Sequence, residues 1–95
     1  MSKAKAHEVA GELEIINPLG LHARAASKLV SLANKYSSEV FLAKGETEVN
    51  AKSMLGVLML ACGMGTTIRL RCVGSDAQRC FDGLAELVRG GFGEI

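Results

Sequence analysis

Thr66-Thr-Ile-Arg-Leu-Arg-Cys-Val73 alternates apolar and polar side chains, with Ile68, Leu70 and Cys72 on one parity and Arg69 and Arg71 on the other. Successive residues of a strand point to opposite faces, so this segment is a strand with one buried and one wet face. Gly11-Glu-Leu-Glu-Ile-Ile16 repeats the pattern, with Leu13 and Ile15 opposite Glu12 and Glu14. Val40 and Leu42 share a face in a strand expected over Glu39–Ala43. Lys44-Gly45-Glu46 then reads as a hairpin turn into a short strand, Thr47–Ala51. A sheet built of such strands is covered on one side only. Antiparallel sheets tolerate that arrangement, and fully parallel ones rarely do.

The cover comes from segments of helical period. Ala26, Leu29, Val30 and Ala33 fall at i, i+3, i+4 and i+7, with Lys28, Ser31 and Lys35 outside the stripe. This predicts an amphipathic helix from Ala23 to near Tyr36. Ser53 is placed to cap a short helix over Met54–Ala61, stopped by Gly63 and Gly65. Ser75-Asp-Ala-Gln78 fits a capping box. The stripe Ala77, Cys80, Phe81, Leu84, Leu87 and Val88 follows, and Gly90-Gly91 closes that helix. The order is βαββαβα. The expected fold is α+β, a two-layer open-faced sandwich with three helices on one face of the sheet. Residues 1–9 are expected to be a loose lead-in and residues 10–95 a single domain.

The chain has 95 residues, which allows one core. A domain of this size buries only about 60–70% of the surface its unfolded chain exposes, so its chemistry belongs on the surface. Eleven Lys and Arg face ten Asp and Glu, and there are three Phe, one Tyr and no Trp. That balance lacks the basic excess and stacking side chains of a nucleic-acid binder. Cys62, Cys72 and Cys80 are odd in number and have no C-x-x-C spacing. They are expected to be buried thiols of a cytoplasmic protein. Met1–Ala10 has no apolar region of signal-peptide type, and no apolar run is long enough to span a membrane.

The chemistry points to Gly20-Leu-His-Ala-Arg24, where the loop after the first strand becomes the first helix. A helix start carries backbone N–H groups without intrahelical partners and about half a positive charge from the helix dipole. It therefore favours anions such as phosphate. His22 stands at or beside the N-cap. A neutral imidazole keeps a free ring nitrogen near pH 7, and that nitrogen can attack a phosphoryl group to form a labile N–P bond. Arg24, in the first turn, can offer a planar fork of donors to phosphate oxygens. Phosphoryl transfer needs positioning and charge stabilisation more than covalent help. By position alone, His22 also fits an ordinary capping or surface histidine. His7, in the polar lead-in, is expected to be a bystander.

Asn17-Pro-Leu-Gly-Leu-His-Ala-Arg-Ala-Ala-Ser-Lys-Leu-Val30 resembles the active-site segment of the HPr family, the histidine-containing phosphocarriers of the bacterial phosphoenolpyruvate-dependent phosphotransferase system. Asn50-Ala-Lys-Ser-Met-Leu-Gly-Val-Leu-Met-Leu60 resembles the family's second motif, and Phe92-Gly93-Glu94 resembles proteobacterial members, including nitrogen-type ones. The resemblance covers residues 10–94. It implies an antiparallel sheet in the order 1-4-2-3, phosphorylation of His22 on Nδ1, and Arg24 as the neighbouring active-site arginine. It further implies Ser53 as the residue modified by HPr kinase/phosphorylase where that enzyme exists. Enzyme I would be the donor and EIIA proteins or domains the acceptors. The protein would be a carrier rather than an enzyme, with no metal or organic cofactor. Many members have proline after the active-site arginine, whereas this chain has Ala25.

Leu21, Met54 and Leu55 are the candidate docking residues beside the site, and a free His22 face suits a monomer. A phosphate on Ser53 would add about −1.5 to −2 charges next to that apolar patch and weaken docking. A regulatory relative acting through Ser53 alone would not need His22 and Arg24. An unrelated binding domain is disfavoured by the charge balance, and a self-sufficient enzyme by the lack of a second nearby histidine, metal-ligand spacing or nucleophile elbow.

Overall fold

The computed structural model describes residues 7–95. Four strands, β1 (Glu8–Glu14), β2 (Glu39–Lys44), β3 (Thr47–Asn50) and β4 (Thr67–Val73), alternate with three helices, α1 (Ala23–Ala33), α2 (Met54–Met59) and α3 (Ala77–Arg89). A single 3₁₀ turn, Gly91–Gly93, follows α3. The sheet order is β1-β4-β2-β3, and all three pairings are antiparallel. The one-sided alternation of the strands is realised in full. Ile68, Leu70 and Cys72 are buried with Leu13, Ile15, Val40 and Leu42, against Leu29, Ala33, Leu84 and Val88 from the helices.

On the wet face Arg71 pairs bidentately with Glu48, through Nε at 3.3 Å and Nη2 at 3.0 Å. Its guanidinium also lies 4.3 Å from the centre of the Phe41 ring. Register brings these together, since Arg71 stands opposite Phe41 across the β2–β4 ladder. Cross-strand contacts of this kind give an otherwise bare sheet face some cohesion.

The strand at the N-terminal end starts earlier than its alternation suggested. Glu8 pairs with Val73 and Val9 with Cys72, and the Gly74 N–H donates to the His7 carbonyl at 2.8 Å. Residues 8 and 9 thus belong to the sheet rather than to a lead-in, His7 is tied to its edge, and residues 1–6 of that lead-in lie outside the described residues. The pattern fades there because Gly11 occupies an inward position. A Cβ on Gly11 would stand 2.9 Å from the Phe81 ring, so its absence lets α3 seat Phe81 on β1.

Three helix ends also differ from expectation, and the first is α2, which stops at Met59 rather than Ala61, whose φ is +53°. α1 stops at Ala33, and Tyr36 is reached through turns in which Lys35 N–H donates to Leu32 O and Tyr36 N–H to Ala33 O. The capping box at Ser75 does not form. Asp76 is the N-cap of α3 and makes no side-chain cap bond, because its carboxylate instead accepts from Ser37 N–H, Ser38 N–H and the Ser38 hydroxyl. Gln78 donates to Asp82 at 2.9 Å. Tertiary demand outweighs the local motif: Ser38 is fully buried, and its polar groups need partners.

Candidate functional site

Asn17-Pro-Leu-Gly20 turns the chain from β1 into α1. Gly20 has φ of +65°, and a Cβ there would lie 2.4 Å from the Cys62 carbonyl oxygen and 2.8 Å from Gly63 Cα. Only glycine fits so close a backbone crossing. Leu21 N–H donates to the same Cys62 carbonyl at 2.8 Å. The loop after α2 therefore clamps the start of α1 and fixes where His22 stands.

His22 is the N-cap of α1, with extended backbone (φ −71°, ψ 179°) and no side-chain cap bond. The first intrahelical bond runs from Ala26 N–H to His22 O at 2.8 Å, which leaves the N–H groups of Ala23, Arg24 and Ala25 without intrahelical partners. The imidazole side chain is 28% exposed. It lies in an open cleft of about 750 Å³, whose lining includes Leu19, Arg24, Lys28 and Glu94. Arg24 is exposed and, among the described residues, makes no ion pair. Ala25 is fully buried.

The C-terminal tail completes the site. His22 Nε2 lies 2.7 Å from Glu94 Oε2. Asn17 is fully buried, and its Nδ2 donates to Glu94 Oε1 at 2.9 Å and to Gly20 O at 2.8 Å. The hydrogen bonds from Asn17 and His22 hold the Glu94 carboxyl below the ordinary carboxylate range. Phe92 anchors the tail: it is 1% exposed and takes a left-handed backbone with φ of 58°. Its carbonyl accepts from Lys28 Nζ at 2.7 Å. Asn17, Lys28 and Glu94 were not among the candidate residues. Glu94 is separated from His22 by 72 positions, and the resemblance of Phe92-Gly93-Glu94 to proteobacterial members gave it no role at the site.

Ser53 caps α2 as expected, its Oγ accepting from Gly56 N–H at 3.2 Å. The docking residues divide. Leu55 is 69% exposed, whereas Leu21 is 5% exposed and belongs to the core, held there by its bond to the Cys62 loop. Met54 is partly buried against the core. Besides Leu55, the large exposed apolar side chains among the described residues are Leu19, Leu58, Met59, Met64 and Ile95. Leu55, Leu58 and Met59 share one face of α2 by their spacing.

Cys62, Cys72 and Cys80 are free and buried, and burial pushes all three thiols up, which makes them poor nucleophiles. Among the described residues no three His, Cys, Asp or Glu side chains converge as a metal site would require, and no helix is long and apolar enough to cross a membrane.

A histidine at the N-cap position of an open helix start, on a one-sided α+β sandwich, makes a surface site that can receive an anion. The comparisons agree. The family model PTS-HPr, described as the PTS HPr component phosphorylation site, matches residues 9–90. The phosphocarrier protein HPr of Cupriavidus necator is 48% identical over 80 residues, covering 84% of this chain and 90% of the relative. The phosphocarrier protein NPr of Shewanella violacea is 46% identical over 83 residues, covering 87% and 91%. Among solved structures, HPr from Thermoanaerobacter tengcongensis superimposes with a TM-score of 0.89 at 36% identity, covering 92% of this chain and 98% of that one. The chain belongs to the HPr family of phosphocarrier proteins of the phosphotransferase system.

Proposed function

We propose that this protein accepts a phosphoryl group on His22 Nδ1 from phosphorylated enzyme I and passes it to EIIA proteins or domains. The observation that carries this reading is the state of the imidazole: Nε2 is held by Glu94, while Nδ1 makes no hydrogen bond among the described residues. On this reading Nδ1 is the nucleophile, and the three free N–H groups of the helix start receive phosphate oxygens. Arg24 supplies an exposed guanidinium for the same oxygens.

Leu19, Leu55, Leu58, Met59 and Met64 form the apolar docking surface on this reading. Methionine and leucine side chains repack easily against different partners, as a carrier with a donor and several acceptors requires. The protein acts as a monomer in the cytoplasm, where those partners work. Ser53 serves as a switch where a serine kinase is present: the cap geometry accommodates a dianion at the helix start, and the added charge weakens docking on the neighbouring apolar face.

The test is incubation with phosphoenolpyruvate and enzyme I, followed by intact mass. One acid-labile phosphoryl group is expected on the wild type and none on His22→Ala. A phosphoryl group that persists in His22→Ala, or none on the wild type with enzyme I active on another carrier, contradicts the reading and favours regulation through Ser53.

A further inference from the structure

We propose that Glu94 is a positioning residue for phosphoryl transfer, fixing the His22 tautomer and stabilising the imidazolium that forms when Nδ1 is phosphorylated. The proposal rests on His22 as the acceptor and adds a residue from the far end of the chain to its site. Three observations carry it. Glu94 Oε2 is 2.7 Å from His22 Nε2, and a carboxylate accepts there, which favours the proton on Nε2 and, in the neutral ring, leaves the lone pair on Nδ1. Glu94 is itself oriented, because the fully buried Asn17 donates to its second oxygen at 2.9 Å. Finally, the tail that carries Glu94 is built into the fold by the buried Phe92 ring and the Lys28–Phe92 bond.

The transfer step is balanced without a mobile proton. The Nδ1 lone pair forms the new N–P bond as the bond between phosphorus and the donor protein breaks, and that bond's electron pair stays with the donor. The Nε2 proton does not move. The neutral ring becomes an N-phosphorylated imidazolium, whose positive charge faces the Glu94 carboxylate. Passing the phosphoryl group onward reverses these events. A carboxylate that orients an imidazole and stabilises its cationic form plays the same part in serine-protease triads, and carboxylates that orient metal-bound imidazoles are worth about 10–100-fold when removed.

The charged groups facing the cleft are Arg24 and Lys28 from α1 and Glu94 from the tail. Arg24 and Lys28 oppose a positive ring, so Glu94 is the group that favours it. The N–P bond of phosphohistidine hydrolyses faster when the ring is protonated. An adjacent carboxylate keeps the ring protonated to higher pH, so its loss moves the falling limb of hydrolysis to lower pH.

Glu94→Gln keeps an oxygen that can accept from Nε2 and removes the charge; Glu94→Ala removes both. The experiment measures phosphoryl transfer from phosphorylated enzyme I, the pH profile of phosphohistidine hydrolysis and the ring ¹⁵N shifts, with His22→Ala as reference. Both Glu94 variants are expected to transfer about 10–100-fold more slowly, with hydrolysis profiles moved to lower pH. Only Glu94→Ala is expected to mix the ring tautomers. Wild-type rates and an unmoved profile in both variants, with His22→Ala inactive, overturn the role of Glu94 and leave His22 as acceptor. Phosphorylation persisting in His22→Ala overturns both.

Discussion

His22 and Glu94 are 72 residues apart in sequence and 2.7 Å apart in space, joined through Nε2 and Oε2. The contact holds Nε2 and leaves Nδ1 without a hydrogen bond among the described residues. It also ties the site to both ends of the fold: the loop after β1 supplies the histidine, and the turn after α3 supplies the acid. The tail is thereby part of the site rather than a loose end.

Arg24 has no structural employment among the described residues, so its removal should affect chemistry and not folding. Arg24→Ala is expected to slow transfer from enzyme I by about 10–100-fold, the loss of one charged hydrogen bond worth about 1.5–3 kcal/mol. The thermal midpoint should stay at the wild-type value, and Arg24→Lys should recover part of the rate through its charge but not its fork. Stopped-flow transfer rates and a melting curve on the same samples check both halves.

Much of this was legible in the sequence, because it is written at short range. The alternation in β4 and the stripe of α1 each place a face directly, and the turn before His22 announces the helix whose start becomes the site. Asn17, Lys28 and Glu94 were not legible in this way. Their roles come from one long-range closure, and a lone acid after Gly-Phe-Gly has no periodic partner to reveal it. Leu21 misled for a related reason: adjacency to His22 suggested exposure, but its bond to Cys62 turns the side chain into the core. Ser75 misled because the burial of Ser38 recruits the neighbouring Asp76.

Phe92 is the anchor of the tail. Phe92→Ala is expected to cost about 3–5 kcal/mol, as large aromatic truncations in a core do, and to release Glu94 from His22. Urea unfolding measures the first effect, and the His22 ring ¹⁵N shifts report the second.

Ser53 has a measurable structural role apart from any modification. Ser53→Ala is expected to lose about 1 kcal/mol of stability through the lost cap. Ser53→Asp keeps a capping oxygen and adds a negative charge beside the exposed leucines and methionines of α2. It should fold as well as the wild type yet accept phosphoryl groups from enzyme I more slowly. An acceptance rate equal to wild type contradicts the switch.

Asp76 gives the fold a defined acid limb. Hydrogen bonds from the Ser38 hydroxyl and the Ser37 N–H lower its carboxyl from 3.8 to about 2. A carboxyl lowered in the folded state stabilises above its unfolded value, and that contribution fades as pH falls from about 4 towards about 2. The urea midpoint of the wild type should decline across this window. Asp76→Asn has no charge to lose there, and its decline should be shallower. Identical slopes in the two proteins contradict the assignment.

The central claim is that the fold presents one ring nitrogen, His22 Nδ1, for phosphorylation while Nε2 is held by Glu94. The most direct measurement is ³¹P and ¹⁵N NMR of the protein phosphorylated through enzyme I, read for phosphorus coupling at the ring. Coupling to Nδ1 with a proton retained on Nε2 is the predicted result. A phosphoryl group on Nε2, or on any residue other than His22, would contradict it.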